Sequence, residues 1–328
     1  MGWCVDNVTS ASSETPPPAD AVTIAVLDIL LVTSSIVLNV LILLAVLRNQ
    51  RLHTVSNVFI SSLAASNLFL AIVTDIKMII MLISCYKPVL DTLTDCIYAF
   101  VYSLSMTTSA YNHLMIASER WLYIAKPFLH HRVITYRSTL CGVILSWVVA
   151  FFCSVNLISG PCAPTFFESR SKINYCLVIP VIHFILSTFM IIIYGHIALI
   201  TRNQTRAIKK TTSMNTEHSK RELDPILSNL KSTWKQVRML VIVFGVYFVL
   251  TTPYIVTNVY VYVHEISLVL YNDNIGKAVT LISHAQCGAN FLTYCLQDRD
   301  FRHVLRQYCL KFKISSFSGR VNPIASVT

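Results

Sequence analysis

The 328 residues are 54% hydrophobic and only 13% charged, with a mean hydropathy of +0.60. A soluble domain carries about a quarter charged residues, so a water-soluble globule is excluded, and 8 glycines and 11 prolines exclude a collagenous or low-complexity chain. The formal charge of +10 falls in short connectors rather than on one surface, which excludes a basic nucleic-acid binder.

Residues 1–21 contain no Lys or Arg and lack the basic start and apolar stretch of a cleaved signal peptide. Asn7-Val8-Thr9 there is a glycosylation sequon. Apolar runs long enough for a hydrocarbon core of about 30 Å then recur at 22–47, 55–84, 93–125, 139–159, 175–200, 232–263 and 275–296. They predict seven transmembrane helices, the fifth and seventh interrupted by polar residues, with the first acting as its own insertion signal. The polar stretch 211–230, which contains Pro225, reads as a mobile loop. Beyond Tyr294, Phe301, Val304, Leu305, Tyr308 and Phe312 recur at helical spacing, while Arg299, Arg302, Arg306 and Lys313 take the other face. That pattern predicts an amphipathic helix on the membrane surface. Cys309 lies beside its apolar stripe, where it is either palmitoylated or simply packed on lipid. The organisation is therefore 1–21 outside, 22–296 a membrane domain, 297–313 a surface helix and 314–328 a tail. No internal repeat is visible, which argues against a transporter built from duplicated halves.

Lys and Arg are distributed unequally. Arg48, Arg51, Arg120, Lys126, Arg132 and Arg137 share one side with the basic residues of the 201–231 connector and of the tail, whereas Lys87, Arg170, Lys172 and Lys277 occupy the other. The positive-inside rule then places the N-terminus outside and the tail in the cytoplasm. Cys4, Cys85, Cys96, Cys162 and Cys176 fall on the outer side, where disulfides persist. No CxxC pair suggests a metal site.

The third run carries the most chemistry. At about 100° per residue, Tyr102, Ser109, His113 and Arg120 return to within about 20° of one face. Such a polar stripe must face protein or water rather than lipid. It lines an internal cavity, or, for Ser109 alone, supplies hydrogen-bond glue between helices.

Glu119-Arg120-Trp121 looks like the acidic-Arg-aromatic triplet of rhodopsin-like receptors, and Lys126-Pro127-Phe128 follows at the usual distance. Asn39, Leu63-Ala64 with Asn67, Cys96, Trp147, Tyr194, Pro253 and Asn290-Phe291-Leu292-Thr293-Tyr294 stand in family order. Over residues 22–313 the chain resembles the rhodopsin-like (class A) G-protein-coupled receptors. The resemblance implies an all-α membrane protein, a seven-transmembrane-helix bundle plus a cytoplasmic amphipathic eighth helix, sited in the plasma membrane and not an enzyme. Its implied partners are a heterotrimeric G protein, an unidentified extracellular ligand and the lipid bilayer, with no cofactor, metal or nucleic acid. Glu119, Arg120, Trp121, Tyr194 and Tyr294 would couple to the G protein. Asn39, Asn67, Ser109, His113, Tyr247, Pro253 and Asn290 would form the helix-core switch. Asp28, Lys77, Tyr102, Tyr254, Asn258 and His284 would line the ligand cavity. Cys96 would bond to Cys176 or Cys162, with a Cys162–Cys176 bond as the rival.

Departures from the family pattern matter too. Asn67 replaces an Asp, Tyr247 a Phe, Thr251 a Trp, and Phe291 and Leu186 prolines, while Thr233 is not the acid that often pairs with the family arginine. The lock on Arg120 is then weaker, which implies some basal activity, while the altered switch at Asn67, Thr251 and Phe291 makes a non-signalling decoy or chaperone subunit one alternative. A transporter or proton pathway through Asp28, Asp75, Lys77, His113 and His284 is another. Tyr102 stands where amine receptors carry an Asp, which points away from an amine ligand. His284 cannot form the Schiff base of a retinal pigment. Asp28 and Lys77 either neutralise one another, or Lys77 receives a carboxylate or peptide C-terminus. Asn290-Phe291 resembles some neuropeptide receptors, and Tyr194-Gly195-His196 resembles lipid and melanocortin-type receptors.

Overall fold

The computed structural model describes residues 19–83, 91–159, 177–214, 217–264, 274–297, 301–304 and 306–307. Their long helices are α1 (Ala19–Arg48), α2 (Val55–Ile83), α3 (Asp91–Ala125), α5 (Tyr136–Ser159), α6 (Ile179–Met214), α7 (Glu217–Val263) and α8 (Asn274–Gln297), with a short α4 (Pro127–Val133) between α3 and α5. The sequence dictates these boundaries locally. Thr54 Oγ1 accepts from the Asn57 amide at 3.3 Å at the start of α2, and Thr135 Oγ1 accepts from the Ser138 amide at 3.2 Å at the start of α5. Pro127 occupies the first turn of α4, where its missing N–H costs nothing.

Within the described residues, all seven apolar runs are helical. The stretch 211–230 differs from expectation: α6 continues to Met214 and α7 is already helical from Glu217. Residues such as Glu217, Lys220, Arg221 and Leu223 are good helix formers, and extending an existing helix needs no new nucleus.

α1 packs against α2 and α8, α8 against α7, and α7 against α6, while α3 runs inside this ring against α2, α5 and α6. That position explains its composition. Among the described residues, Val22–Arg48, Val55–Ile80, Tyr136–Val155, Ile179–Ala207 and Val241–Tyr260 are long and apolar enough to cross a membrane. α3 falls short because its interior positions 101–110, all buried in protein, include polar Ser and Thr, of which Ser103, Ser105 and Ser109 bond across to neighbouring helices. α6, despite its polar interruptions, qualifies because His183 and Ser187 turn inward while Ile185, Phe189 and Ile192 face out.

Polar side chains fasten the helices from inside. Asn39 Nδ2 donates to the Ser35 and Cys287 carbonyls, both at 2.8 Å, tying α1 to α8. Gly288 permits that approach, since a Cβ there would lie 2.9 Å from Ser35 Oγ. Residues 301–304 and 306–307 are helical, with Phe301 and Val304 buried and Arg306 exposed. Phe301 meets Phe291 edge-on at 6.0 Å, so the start of the expected apolar stripe packs onto the end of α8, while Leu305, Tyr308 and Phe312 lie outside the described residues.

Candidate functional site

The polar stripe of α3 faces the bundle interior along its whole length, and it organises three sites. At one end, Glu119 Oε2 lies 3.1 Å from Arg120 Nε. Ser56 of α2 joins the pair, donating to Glu119 Oε2 at 3.2 Å and accepting from Arg120 Nη2 at 2.5 Å. His130 Nε2 of α4 sits 3.0 Å from Glu119 Oε1. Trp121 Nε1 donates to His196 Nδ1 of α6 at 2.7 Å, and Tyr194 is buried against Phe244 at 6.0 Å. The expected charge pair is therefore present, held by two residues that the sequence reading missed. No spacing rule links Ser56 to Glu119; His130, close after Lys126-Pro127-Phe128, was the findable one. The backbone places Tyr294 on α8, but its side chain and those of Thr233 and Asn290 lie outside the described residues, as do Asn7, Cys162, Cys176, Cys309 and the side chain of Cys96.

Midway, Asn67 Oδ1 accepts from Ser109 Oγ at 3.4 Å and from Gln286 Nε2 at 3.3 Å, and Ser109 meets Ser66 at 3.2 Å. Ser62 accepts from Asn112 Nδ2 and from Trp147 Nε1, both at 3.0 Å. His113 packs on Tyr247 with ring centroids 4.8 Å apart, and the Tyr247 hydroxyl meets His183 Nδ1 at 3.3 Å. Thr251, replacing the family tryptophan, turns back to the Tyr247 carbonyl at 2.8 Å. It fills no aromatic role. Just beyond it, the Pro253 carbonyl accepts from Thr257 Oγ1 at 2.7 Å.

At the other end, the six expected ligand residues divide into two groups. Tyr102, Tyr254 and Asn258 line a recess between α3, α6 and α7, with Met106, Thr107 and His183 among its other walls. Asp28, Lys77 and His284 belong to a separate cluster. Asp28 binds His284 Nδ1 through both carboxylate oxygens, at 2.9 and 3.0 Å, and His284 Nε2 meets the Tyr98 hydroxyl at 2.7 Å. Asp28 thus has His284 as a partner that the sequence did not suggest, because α1 packs against α8 at this level and presents the imidazole to the carboxylate. Lys77 Nζ lies 4.2 Å above the Tyr98 ring. Tyr102 separates the two groups, bonding Ser283 at 2.6 Å and packing on Tyr254 at 4.7 Å.

A ring of apolar helices around one polar helix, with an ionic pair at one end and a recess at the other, defines a seven-helix membrane protein of receptor architecture. Residues 38–294 match the family described as 7 transmembrane receptor (rhodopsin family), and the chain belongs to that family. It is a multi-pass membrane receptor and not an enzyme. It is 30% identical over 198 residues to melatonin receptor type 1A of Phodopus sungorus, covering 58% of this chain and 56% of that one. It is 26% identical over 303 residues to the histamine H2 receptor of Cavia porcellus, covering 88% and 80%. Against melanocortin receptor 3 of Homo sapiens it is 28% identical over 179 residues, 53% of each. The match spans about half the length of the melatonin receptors it resembles.

Proposed function

We propose that the protein converts binding of an extracellular, non-amine ligand into activation of a heterotrimeric G protein from the plasma membrane. The Lys and Arg distribution supports an outside N-terminus and a cytoplasmic Arg120 end. One observation carries the reading: the same helix, α3, holds a recess wall at Tyr102 and the Glu119–Arg120 pair at its far end. A ligand that binds better when α7 has shifted biases the population toward a form in which Arg120 is released.

Among the described residues, the recess walls include Tyr102, Met106, Thr107, His183, Tyr254 and Asn258 and carry no carboxylate, ammonium or guanidinium. An amine would leave its charge unpaired there, at high cost. The walls suit an uncharged, mainly apolar ligand, with His183 Nε2, buried without a protein partner, as a polar anchor. Peptide and lipid ligands both satisfy that chemistry.

The test is a ligand screen in cells that report several G-protein families, run beside Arg120→Ala. A ligand that drives nucleotide exchange in the parent and not in the variant supports the proposal. Saturable surface binding with no exchange in any family would establish the decoy alternative. Solute flux in proteoliposomes with no exchange would favour the transporter alternative.

A further inference from the structure

The faces that α6 and α7 turn away from the bundle change character together at one level. On α7, Val241, Ile242, Val249 and Val256 are exposed, and at about 100° per residue all four lie within about 60° of Arg238. Val237, Val243, Phe244 and Tyr247, on the other side of the helix, are buried. Arg238 therefore stands in the middle of the stripe that faces hydrocarbon. Trp234 and Lys235, both exposed, fall in the same sector. On α6, the exposed Ile191, Ile192 and Leu199 share a sector of about 100° with the exposed Arg202 and Arg206.

α6 and α7 pack against each other, and one contact fixes their relative level. Tyr194 of α6 meets Phe244 of α7 with ring centroids 6.0 Å apart. Counting about 1.5 Å per residue from there toward the Arg120 end, Arg238 lies about 9 Å away and Arg202 about 12 Å. Lys235 and Trp234 follow at about 14–15 Å and Arg206 at about 18 Å. The four cations thus form one band across two neighbouring helices, with an exposed indole among them. The band is of one sign, since α6 contains no Asp or Glu and α7 none after Asp224. Among the described residues, none of the four has an ionic partner.

A guanidinium rooted in a lipid-facing stripe extends along it to the headgroups, and its planar fork matches a phosphate through two hydrogen bonds. Tryptophan prefers the same boundary between chains and headgroups. A zwitterionic headgroup brings its own cation, so a net negative one suits the band better. We propose that this band is a binding site for an anionic phospholipid of the adjacent leaflet, its headgroup phosphate held between Arg202 and Arg238. The bound lipid bridges α6 and α7 from outside the bundle. The site does not depend on the G-protein reading, because its test measures lipid alone.

The experiment titrates the purified full chain in detergent micelles with phosphatidylserine, phosphatidylinositol bisphosphate or phosphatidylcholine of matched acyl chains. Native mass spectrometry counts the lipid bound. Both anionic lipids should bind at least tenfold more tightly than phosphatidylcholine. Each cation beside an anionic headgroup contributes about fivefold, so the double variant Arg202→Gln, Arg238→Gln should bind about 25-fold more weakly. Arg48→Gln with Arg51→Gln, which removes two cations of the same membrane side outside the band, should bind as the parent does. Anionic lipid should raise the unfolding midpoint of the parent and not that of the Arg202, Arg238 double variant. Inorganic phosphate at matched ionic strength should leave the lipid in place, and displacement by it would show a phosphate site instead of a lipid site. Equal affinity for phosphatidylcholine, parent-like affinity in the double variant, or an equal loss in the Arg48, Arg51 control each overturns the proposal. Should the double variant fail to accumulate, the two single variants decide, and no loss in either overturns it as well.

Discussion

The two ends of α3 hold their ionic groups in opposite ways. At the Arg120 end the charged partners are sequence neighbours, and the arginine side chain keeps 22% of its exposure. At the Asp28 end the partners are separated by 256 residues and are almost wholly buried. Glu119 is buried, but Arg120 keeps a partly open side, so a docking protein could offer the guanidinium replacement contacts there. Breaking a buried pair leaves an uncompensated charge, costing about 3–5 kcal/mol. The difference teaches that one cluster keeps a side on which another protein could act, whereas the other serves to fasten α1 to α8 from within.

Arg120→Ala is the most severe way to break that comparison. It should lower ligand-driven nucleotide exchange at least tenfold, about 1.4 kcal/mol or more, with surface expression retained. Exchange assays on membranes matched for receptor number check this, and undiminished exchange would place coupling elsewhere. His130→Phe removes one support of Glu119 and keeps an aromatic ring. A hydrogen bond of net value about 1 kcal/mol sets an expected rise of about fivefold in basal exchange, and unchanged basal exchange would reduce His130 to packing.

The middle of α3 sharpens the contrast, since it is buried yet carries no charge. Asn67 is wholly buried and its carbonyl oxygen already receives Ser109 and Gln286. A neutral amide cannot offset the desolvation of a cation as a carboxylate does. Replacing sodium by choline at constant ionic strength should therefore leave the unfolding midpoint of the parent unchanged. Asn67→Asp should gain about 2 °C in sodium. Strong sodium dependence in the parent would show that another acid, such as Asp75, holds the cation. The smallest effect belongs to Trp121→Phe, which loses the donor to His196 on an exposed face. Basal exchange should change by about twofold or less, and a larger change would make that bond part of the lock.

The spans were legible because a hydrocarbon core makes length and apolarity local requirements that each segment meets by itself. The inward stripe Tyr102–Ser109–His113–Arg120 was legible because helical periodicity alone puts those residues on one face, and Glu119 with Arg120 because adjacency needs no fold. What the tertiary structure decided was every choice among distant partners: His284 on Asp28, Ser56 and His130 on Glu119, Gln286 on Asn67, and the wall of tyrosines that divides the charged cluster from the recess. Those choices depend on which helices are neighbours and how far each is rotated about its axis. Rotation is set by packing of the whole bundle, where a turn of one residue's worth, about 100°, exchanges one partner for another without altering the hydropathy of any segment.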